Sequence, residues 1–410
     1  MNMDPRVLFV KSIFFLFVVS SILTVTSSPA AAVYENKLPC DLNGDNIITE
    51  AELSDAICNY MLDRGENTLD DVGDAACIYI QWDGKPLTIT DHYNRNVTLY
   101  RPVERVALCS TPSVRIVASL GAADKVVGVY QSIIDDDGLI VTRAYPDLRT
   151  LPSLSSGTGA NPEAVIAVEP DVVFYSAASE AADLQDSTGV PVVALGATFG
   201  LNFTDYAGTY EVWRLAGLIL NEEERAEDLI DYASGKLNTL TSVTSSIPLE
   251  DKLDAYIATG GNNDITKCAP EYYSLDVAGG NNVAAGLPTS WGSATVNKEQ
   301  IIAWDPDIIF IRYYQIGQSL TKDAVTDDTV LSEVSAINTS SVHYVRGSSN
   351  GMDPAIEIVD SYCMAKLMYP DNFLSLDVEA EGNEIYKKFY GVDNLYSQML
   401  DDFDVFERWN

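Results

Sequence analysis

The chain has 410 residues, 47% of them hydrophobic, and a formal net charge of −35. That length holds two hydrophobic cores with room for more, and that charge argues against nucleic acid, which needs a basic face, and against attraction to an anionic membrane. With two histidines in all, His92 and His343, an imidazole-built site for a bare zinc or manganese ion and histidine acid–base catalysis are both short of material.

The N-terminus reads as an export signal. Arg6 and Lys11 give a basic start, Ser12 to Val25 is apolar, and Ala30-Ala31-Ala32 offers a small-residue cleavage site. The apolar stretch is short for a membrane span; the alternative for residues 1–32 is an uncleaved anchor. The expected location is extracellular or at the cell surface. There the six cysteines (40, 58, 77, 109, 268 and 363) are able to pair, and the closeness of Cys40, Cys58 and Cys77 leads to an expectation of one bridge among them. Sequons at Asn96, Asn202 and Asn338 fit an exported chain.

Residues 33–84 form a small helical module. It contains Asp41-Leu42-Asn43-Gly44-Asp45-Asn46-Ile47-Ile48-Thr49-Glu50-Ala51-Glu52. Read as a twelve-residue calcium loop, Asp41, Asn43, Asp45 and Glu52 place side-chain oxygens at positions 1, 3, 5 and 12. Ile47 supplies a backbone carbonyl, Thr49 acts through water, and Ile48 is an apolar plug. Asn46 stands where glycine is usual and is the next best residue for a left-handed turn. A helix follows with Leu53, Ile57, Tyr60 and Met61 on one face. A weaker second loop from Asp63 keeps Asn67, Asp71 and Asp74 but has Gly65 at position 3, which argues against metal there.

Leu87–Thr90 and Val97–Tyr100 flank a polar turn and predict a β-hairpin. A first α/β lobe spans residues 85–204: a strand at Arg105–Leu108, a helix at Pro112–Leu120, and strands at Val126–Val129 and Val190–Leu195. Residues 205–249 lack any strand signal. Tyr210, Val212, Trp213, Leu215 and Ile219 predict one long helix, or two in tandem, weakened at Gly217 and Asn221. Residues 250–410 form a second lobe, opening on a strand at Leu253–Ala258. It has a further strand at Val342–Val345 and closes on helices at Pro354–Met368 and Val378–Tyr390. Apolar strands alternating with helices imply parallel sheets.

Each lobe carries one copy of the same pattern. Asn161-Pro162-Glu163-Ala164-Val165-Ile166-Ala167-Val168-Glu169-Pro170-Asp171-Val172-Val173-Phe174-Tyr175 recurs 136 residues later, from Asn297 to Ile311, with seven of fifteen positions identical. Asn161 and Asn297 are helix N-caps, Pro162 occupies the first helical position, and Glu163 and Glu299 fall in the first turn, where the helix dipole favours negative charge. The helices end before Pro170 and Pro306. An apolar run follows, as a buried parallel strand should be.

This arrangement resembles the class III substrate-binding proteins of ABC importers, the group that captures ferric siderophores, haem or cobalamin. The resemblance covers residues 88–410. It is carried by Arg105-Val106, by Ser119-Leu120-Gly121-Ala122-Ala123-Asp124-Lys125-Val126-Val127-Gly128-Val129, by the two repeats, and by Asp276-Val277-Ala278-Gly279-Gly280-Asn281-Asn282-Val283. It implies two Rossmann-like α/β lobes joined by a long rigid helix, a chelated metal ligand held between them, and docking of Glu163 and Glu299 onto arginines of the permease. The crevice at the carboxyl ends of the strands would be lined by Ser110, Thr111 and Tyr130 from the first lobe and by Trp291, Arg312, Tyr313, Tyr314 and Arg346 from the second. The module at 33–84 resembles a dockerin, which implies a structural calcium and a cell-surface protein partner.

Two rival readings remain. The dockerin-like module alone would make the chain a surface scaffold or adhesion protein. Gly347-Ser348-Ser349-Asn350-Gly351 fits a serine nucleophile elbow between a strand and a helix, but no histidine follows Ser349, so an enzyme is not expected.

Overall fold

A computed structural model of the chain describes residues 36–136, 138–156, 159–176, 178–196, 207–259, 264–290, 292–312, 320–348 and 353–402. All belong to one compact unit, Val33–Asn410. The export signal, Trp291, Tyr313, Tyr314 and Ser349 lie outside the described residues.

The N-terminal module is two helices, α1 (Glu50–Met61) and α2 (Leu69–Gln81), each opened by a threonine capping box: Thr49 with Glu52, and Thr68 with Asp71. Leu38, Cys40, Ile48, Leu53, Ala56, Val72, Ala75 and Ile78 form their core. Leu53 is buried as expected. Tyr60 and Met61 are instead 37% and 72% exposed, because the face shared with α2 is set by Leu53 and Ala56, and the last turn of α1 runs past it. The bridge expected among Cys40, Cys58 and Cys77 does not form. The three sit in different settings: Cys40 is buried with its thiol on the Asp71 carbonyl, Cys58 is exposed, and Cys77 donates to Gln81 on its own helix.

The hairpin forms in register, β1 (Leu87–Thr90) against β2 (Asn96–Leu99). The first lobe then runs β3 (Val106–Leu108), α3 (Thr111–Ser119), β4 (Val126–Val129), α4 (Gln131–Asp135), α5 (Ile140–Ala144), α6 (Pro162–Ala167), β5 (Val172–Tyr175), α7 (Ala178–Thr188) and β6 (Val192–Ala194). Its sheet has the order β4-β3-β5-β6 and every pairing is parallel. The connecting region is two helices in tandem, α8 (Ala207–Leu220) and α9 (Glu223–Thr244). The break falls at Asn221, held left-handed at φ +60°.

The second lobe contains β7 (Asp254–Ala258), β8 (Lys267–Cys268), α10 (Tyr273–Ala278), β9 (Asn281–Asn282), β10 (Ala294–Thr295), α11 (Lys298–Trp304), β11 (Ile308–Arg312) and β12 (Val342–Val345). The helices α12 (Pro354–Met368), α13 (Val378–Tyr390) and α14 (Leu395–Asp402) follow. β9, β7, β11 and β12 pair in parallel. Two short strands, β8 and β10, extend the sheet antiparallel, so it is mixed rather than wholly parallel. Among the described residues no helix is long and apolar enough to cross a membrane.

The repeat acts as a pair of matched pins. Asp171 donates its N–H to the Arg105 carbonyl at 2.8 Å and accepts the Arg105 N–H on its carboxylate at 2.8 Å. Asp307 makes the same two contacts, at the same distances, with Asp254. Each aspartate thus ties the amino end of the repeat's strand to the amino end of its lobe's first strand. The residue before each proline, Glu169 or Asp305, turns left-handed at φ +46° and +47°, which stops the helix and swings the chain into the strand. One core then crosses the boundary between the lobes: Leu108, Trp213, Leu229, Ile257, Tyr362 and Phe389 belong to the same buried cluster.

Candidate functional site: the crevice between the lobes

The carboxyl ends of the two sheets face each other. Arg346 follows β12, and its guanidinium donates to the Gly138 carbonyl, on the segment leaving β4 and α4, at 2.6 Å. Burial lowers the pKa of this arginine, which is 5% exposed. Beside it, Arg115 of α3 meets Asp353 at the start of α12 at 3.5 Å, both side chains being 1% exposed. Asp353 also accepts from the Ala355 and Ile356 N–H groups and from the Tyr390 hydroxyl, the latter at 2.9 Å to each oxygen. The floor between the lobes is therefore a buried ionic cluster with contributions from both sides.

Two further acids on α12 complete it. Glu357 accepts from the hydroxyls of Ser274 (2.7 Å) and Ser348 (3.0 Å). Asp360 accepts the N–H groups of Arg346 (3.1 Å) and Gly347 (2.8 Å). Burial pushes the pKa of Glu357 up and that of Asp360 up to about 7, the neighbouring Glu357 adding to the latter. Arg312 ends β11, donates to the Ser348 carbonyl at 2.8 Å and stacks over the Tyr272 ring at 5.7 Å. Arg312 and Arg346 are thus adjacent at the strand ends, and each is already anchored to protein.

In the first lobe, Ser110, Thr111 and Tyr130 sit just past the carboxyl ends of β3 and β4. Ser110 and Thr111 are buried, with their hydroxyls paired to Ser113 at 2.9 Å and Ser132 at 2.7 Å. They lie beneath the crevice surface; Tyr130 is half-buried.

Both repeat glutamates point into solvent. Glu163 and Glu299 are exposed, and no hydrogen bond or ion pair takes either carboxylate among the described residues. Asn161 caps α6 through the Glu163 and Ala164 N–H groups, and Asn297 caps α11 through that of Gln300. Asn161 bonds to Leu154, which pairs with Val129 at the carboxyl end of β4. Val296 bonds to Thr266, whose neighbour Lys267 pairs with Thr259 just past β7. Each glutamate therefore lies on the crevice side of its own sheet.

In the calcium-type loop, Asp41 accepts from the Gly44 and Asn46 N–H groups at 2.8 and 2.9 Å, and Asn46 is left-handed at φ +61°. Ile48 plugs the module core and donates its N–H to the Gly84 carbonyl at 2.7 Å. Gly84 itself, at φ +75°, approaches so closely that a Cβ would meet the Ile48 carbonyl at 2.4 Å. Glu52 spends one oxygen on Thr49; the other is buried against the Leu42 and Asn43 backbone. A carboxylate so placed and the loop backbone fit a cation. The acids are not drawn together, however: no three His, Cys, Asp or Glu side chains converge as a metal site among the described residues. The weaker second loop is occupied otherwise, since Arg101 holds Asp71 and Asp74 at 2.9 and 3.0 Å.

The sequence profile described as Periplasmic binding protein matches residues 106–347. The chain belongs to the periplasmic binding protein family. Among curated members it is 24% identical over 327 residues to the molybdate-binding protein MolA of Haemophilus influenzae, covering 74% of this chain and 90% of that one. It is 25% identical over 240 residues to a cobalamin-binding protein of Halobacterium salinarum, covering 58% of this chain and 59% of the relative. Among solved structures, a periplasmic solute-binding protein from Veillonella parvula overlays with a TM-score of 0.62 at 22% identity, over 75% of this chain and 94% of that one. The overlay shows that this periplasmic binding protein has the two-lobe α/β fold of the class III group.

Proposed function

We propose that the chain is an extracytoplasmic solute-binding protein that captures a chelated metal ligand, such as a ferric siderophore, haem or cobalamin, and delivers it to the permease of an ABC importer. The observation that carries this reading is the matched pair of exposed glutamates, Glu163 and Glu299, unpaired among the described residues, each at the start of a capped helix on the crevice side of its lobe. A carboxylate so placed accepts an arginine in two-point contact. Each pair contributes ~0.2–1 kcal/mol while exposed and more once an interface dries it. Two such points fix orientation as well as register. The shortage of histidine and the arginines and tyrosines around the crevice favour a chelate over a bare ion.

The test is transport into vesicles carrying the permease from the same host. Changing Glu163→Gln and Glu299→Gln together should abolish uptake while guest affinity stays constant; undiminished uptake would refute the docking role. Native mass spectrometry of protein secreted by its own host identifies the guest. Recovery of an oxyanion such as molybdate, the ligand in the name of the Haemophilus relative, would replace the chelate reading.

Residues 33–84 serve in this reading as a calcium-stiffened handle for a cell-surface partner. Asp41, Asn43, Asp45, Ile47, Thr49 and Glu52 hold the ion, which supplies loop rigidity and no chemistry. Support for a partner comes from the exposed apolar side chains Leu42 (62%), Met61 (72%) and Leu62 (56%) on the module. Changing Met61→Glu and Leu62→Glu should release the protein from cells without altering capture; full retention would count against the handle.

A further inference from the structure

Two of the three sequons fall on described residues, and the fold treats them in opposite ways; the third, at Asn202, lies outside those residues. Asn96 opens β2 and pairs with Thr90 in the hairpin ladder. Its side-chain oxygen accepts the Thr90 hydroxyl at 3.2 Å, and the Thr98 hydroxyl pairs with that of Thr88 at 3.0 Å. Val97, between them, is 2% exposed and belongs to the shared core. The turn before Asn96 is strapped across the carboxyl ends of β5 and β6. The buried Asp91 carboxylate accepts the Ala194 N–H at 3.2 Å, the His92 N–H donates to the Ala194 carbonyl at 3.1 Å, and the Tyr93 hydroxyl donates to the Ser176 carbonyl at 3.1 Å. Lifting Asn96 and Thr98 off the surface together would unpair the ladder and draw Val97 out of the core.

Asn338-Thr339-Ser340 is held the other way. All three residues are exposed. They close a single helical turn, Ser335–Asn338, between β11 and β12. The turn is fixed from beneath: the Ser335 N–H donates to the Asp305 carboxylate at 2.7 Å, the Ala336 N–H donates to the Pro306 carbonyl at 2.9 Å, and Ala336 is fully buried. Its end is closed by the Ser340 N–H on the Ile337 carbonyl at 3.1 Å and the Ser341 N–H on the Ala336 carbonyl at 2.7 Å, with Ser340 left-handed at φ +59°. The middle residue is tied inward, since the Thr339 hydroxyl donates to the Ser335 carbonyl at 2.9 Å. Among the described residues no hydrogen bond takes the Asn338 amide group or the Ser340 hydroxyl. Asp305 and Pro306 precede β11, so this turn lies at the amino ends of the strands, on the side of the lobe away from the crevice and from Glu299.

We propose that Asn338 is an N-glycosylation site of the folded protein and that Asn96 is passed over. The modification needs the amide and the hydroxyl two residues further on to be offered together at the surface, which the fold does at 338–340 and prevents at 96–98. The co-reactant is a sugar carried on a lipid phosphate. The Asn338 amide nitrogen forms a bond to the anomeric carbon, and the bond from that carbon to the phosphate oxygen breaks. The lipid phosphate leaves with the electron pair, and one amide proton passes to a base of the transferase. No group is oxidised or reduced. A sugar at this pole adds bulk and hydration to the back of the second lobe and leaves the crevice and both repeat glutamates uncovered. The inference rests on export, as the capture reading has it.

The test is mass spectrometry of peptides from the full chain purified out of its own host, with the cytoplasmic and extracytoplasmic fractions kept apart. Sugar should be found on Asn338 at an occupancy several-fold above that on Asn96. Asn338→Gln should remove that mass. Ser340→Gly should remove it too, because the hydroxyl is gone while glycine suits the left-handed backbone, so loss of the sugar is separated from damage to the fold. Occupancy at Asn338 equal to or below that at Asn96, both bare included, overturns the inference and leaves capture standing. A sugar that stays on Asn338 in Ser340→Gly overturns it as well, since the attachment would then not depend on the sequon. If the protein is recovered from the cytoplasm alone, export fails, and both the capture reading and this inference fall with it.

Discussion

Asp353→Ala tests whether the two lobes are held together by their buried ionic floor. The carboxylate faces Arg115 at 3.5 Å with both groups 1% exposed, caps α12 through two N–H groups, and accepts the Tyr390 hydroxyl. Removing it takes a neutralising carboxylate away from a buried guanidinium, a loss of about 3–5 kcal/mol. The missing cap alone accounts for ~1 kcal/mol of the damage, and the contributions overlap because they share one carboxylate. Urea unfolding followed by tryptophan fluorescence reads the change, since Trp213 is fully buried in the shared core. With a slope of about 3 kcal/mol/M the midpoint should fall by roughly 1–1.7 M. Arg115→Met combined with Asp353→Ala removes both charges and should recover most of the loss, because a neutral buried pair has no desolvation to repay. A single variant that loses under about 1 kcal/mol, or a double variant as unstable as the two singles summed, would refute a coupled cluster.

Three further outcomes are expected. Burial raises the Asp360 pKa to about 7, so from the unfolded value near 3.9 upward the folded chain holds a proton that the unfolded chain has shed. This group's stabilisation is full below about pH 4 and is lost as the pH rises through about 7. Thermal midpoints of wild type minus Asp360→Asn should fall across that window; a difference that is flat or rises with pH contradicts the assignment. Asp171→Ala and Asp307→Ala each remove the acceptor of an exposed backbone N–H at the start of a lobe's first strand and should cost about 0.5–1.5 kcal/mol apiece, in similar amounts, by chemical denaturation; a large effect at one and none at the other would deny their equivalence. Calcium at about a hundred times its dissociation constant should stabilise the wild type by ~2.7 kcal/mol relative to chelator and leave Asp41→Ala unmoved; an identical response in both would place any bound ion elsewhere.

Much of the fold was legible because local signals agreed with each other. The helices Pro354–Met368 and Val378–Tyr390 begin and end where the sequence places them, since Asp353 and Asp377 are strong caps and Gly391 supplies a left-handed stop. The repeats were readable for the same reason: cap, short helix, proline, apolar run. The ionic floor was not. Arg115, Glu357 and Asp360 sit at positions that read as ordinary polar faces of helices, and only packing from both lobes buries them. The hairpin tip escaped notice likewise. Asp91 to Asn96 reads as a solvent turn, and nothing local reveals that it lies across strands a hundred residues further on. The aspartates of the repeat were visible as identities, but their bonds to Arg105 and Asp254 are tertiary.

The N-terminal module is not strung from the first lobe by a loose cord. Trp82 packs against both the module's core and the large shared core, Arg101 grips two acids of α2, and Gly84 is wedged under Ile48. Any tension applied at the module is transmitted through side chains into the hairpin and the sheet behind it. A molecule moored by that end cannot swivel freely, and its mouth keeps a fixed heading relative to whatever it is moored to.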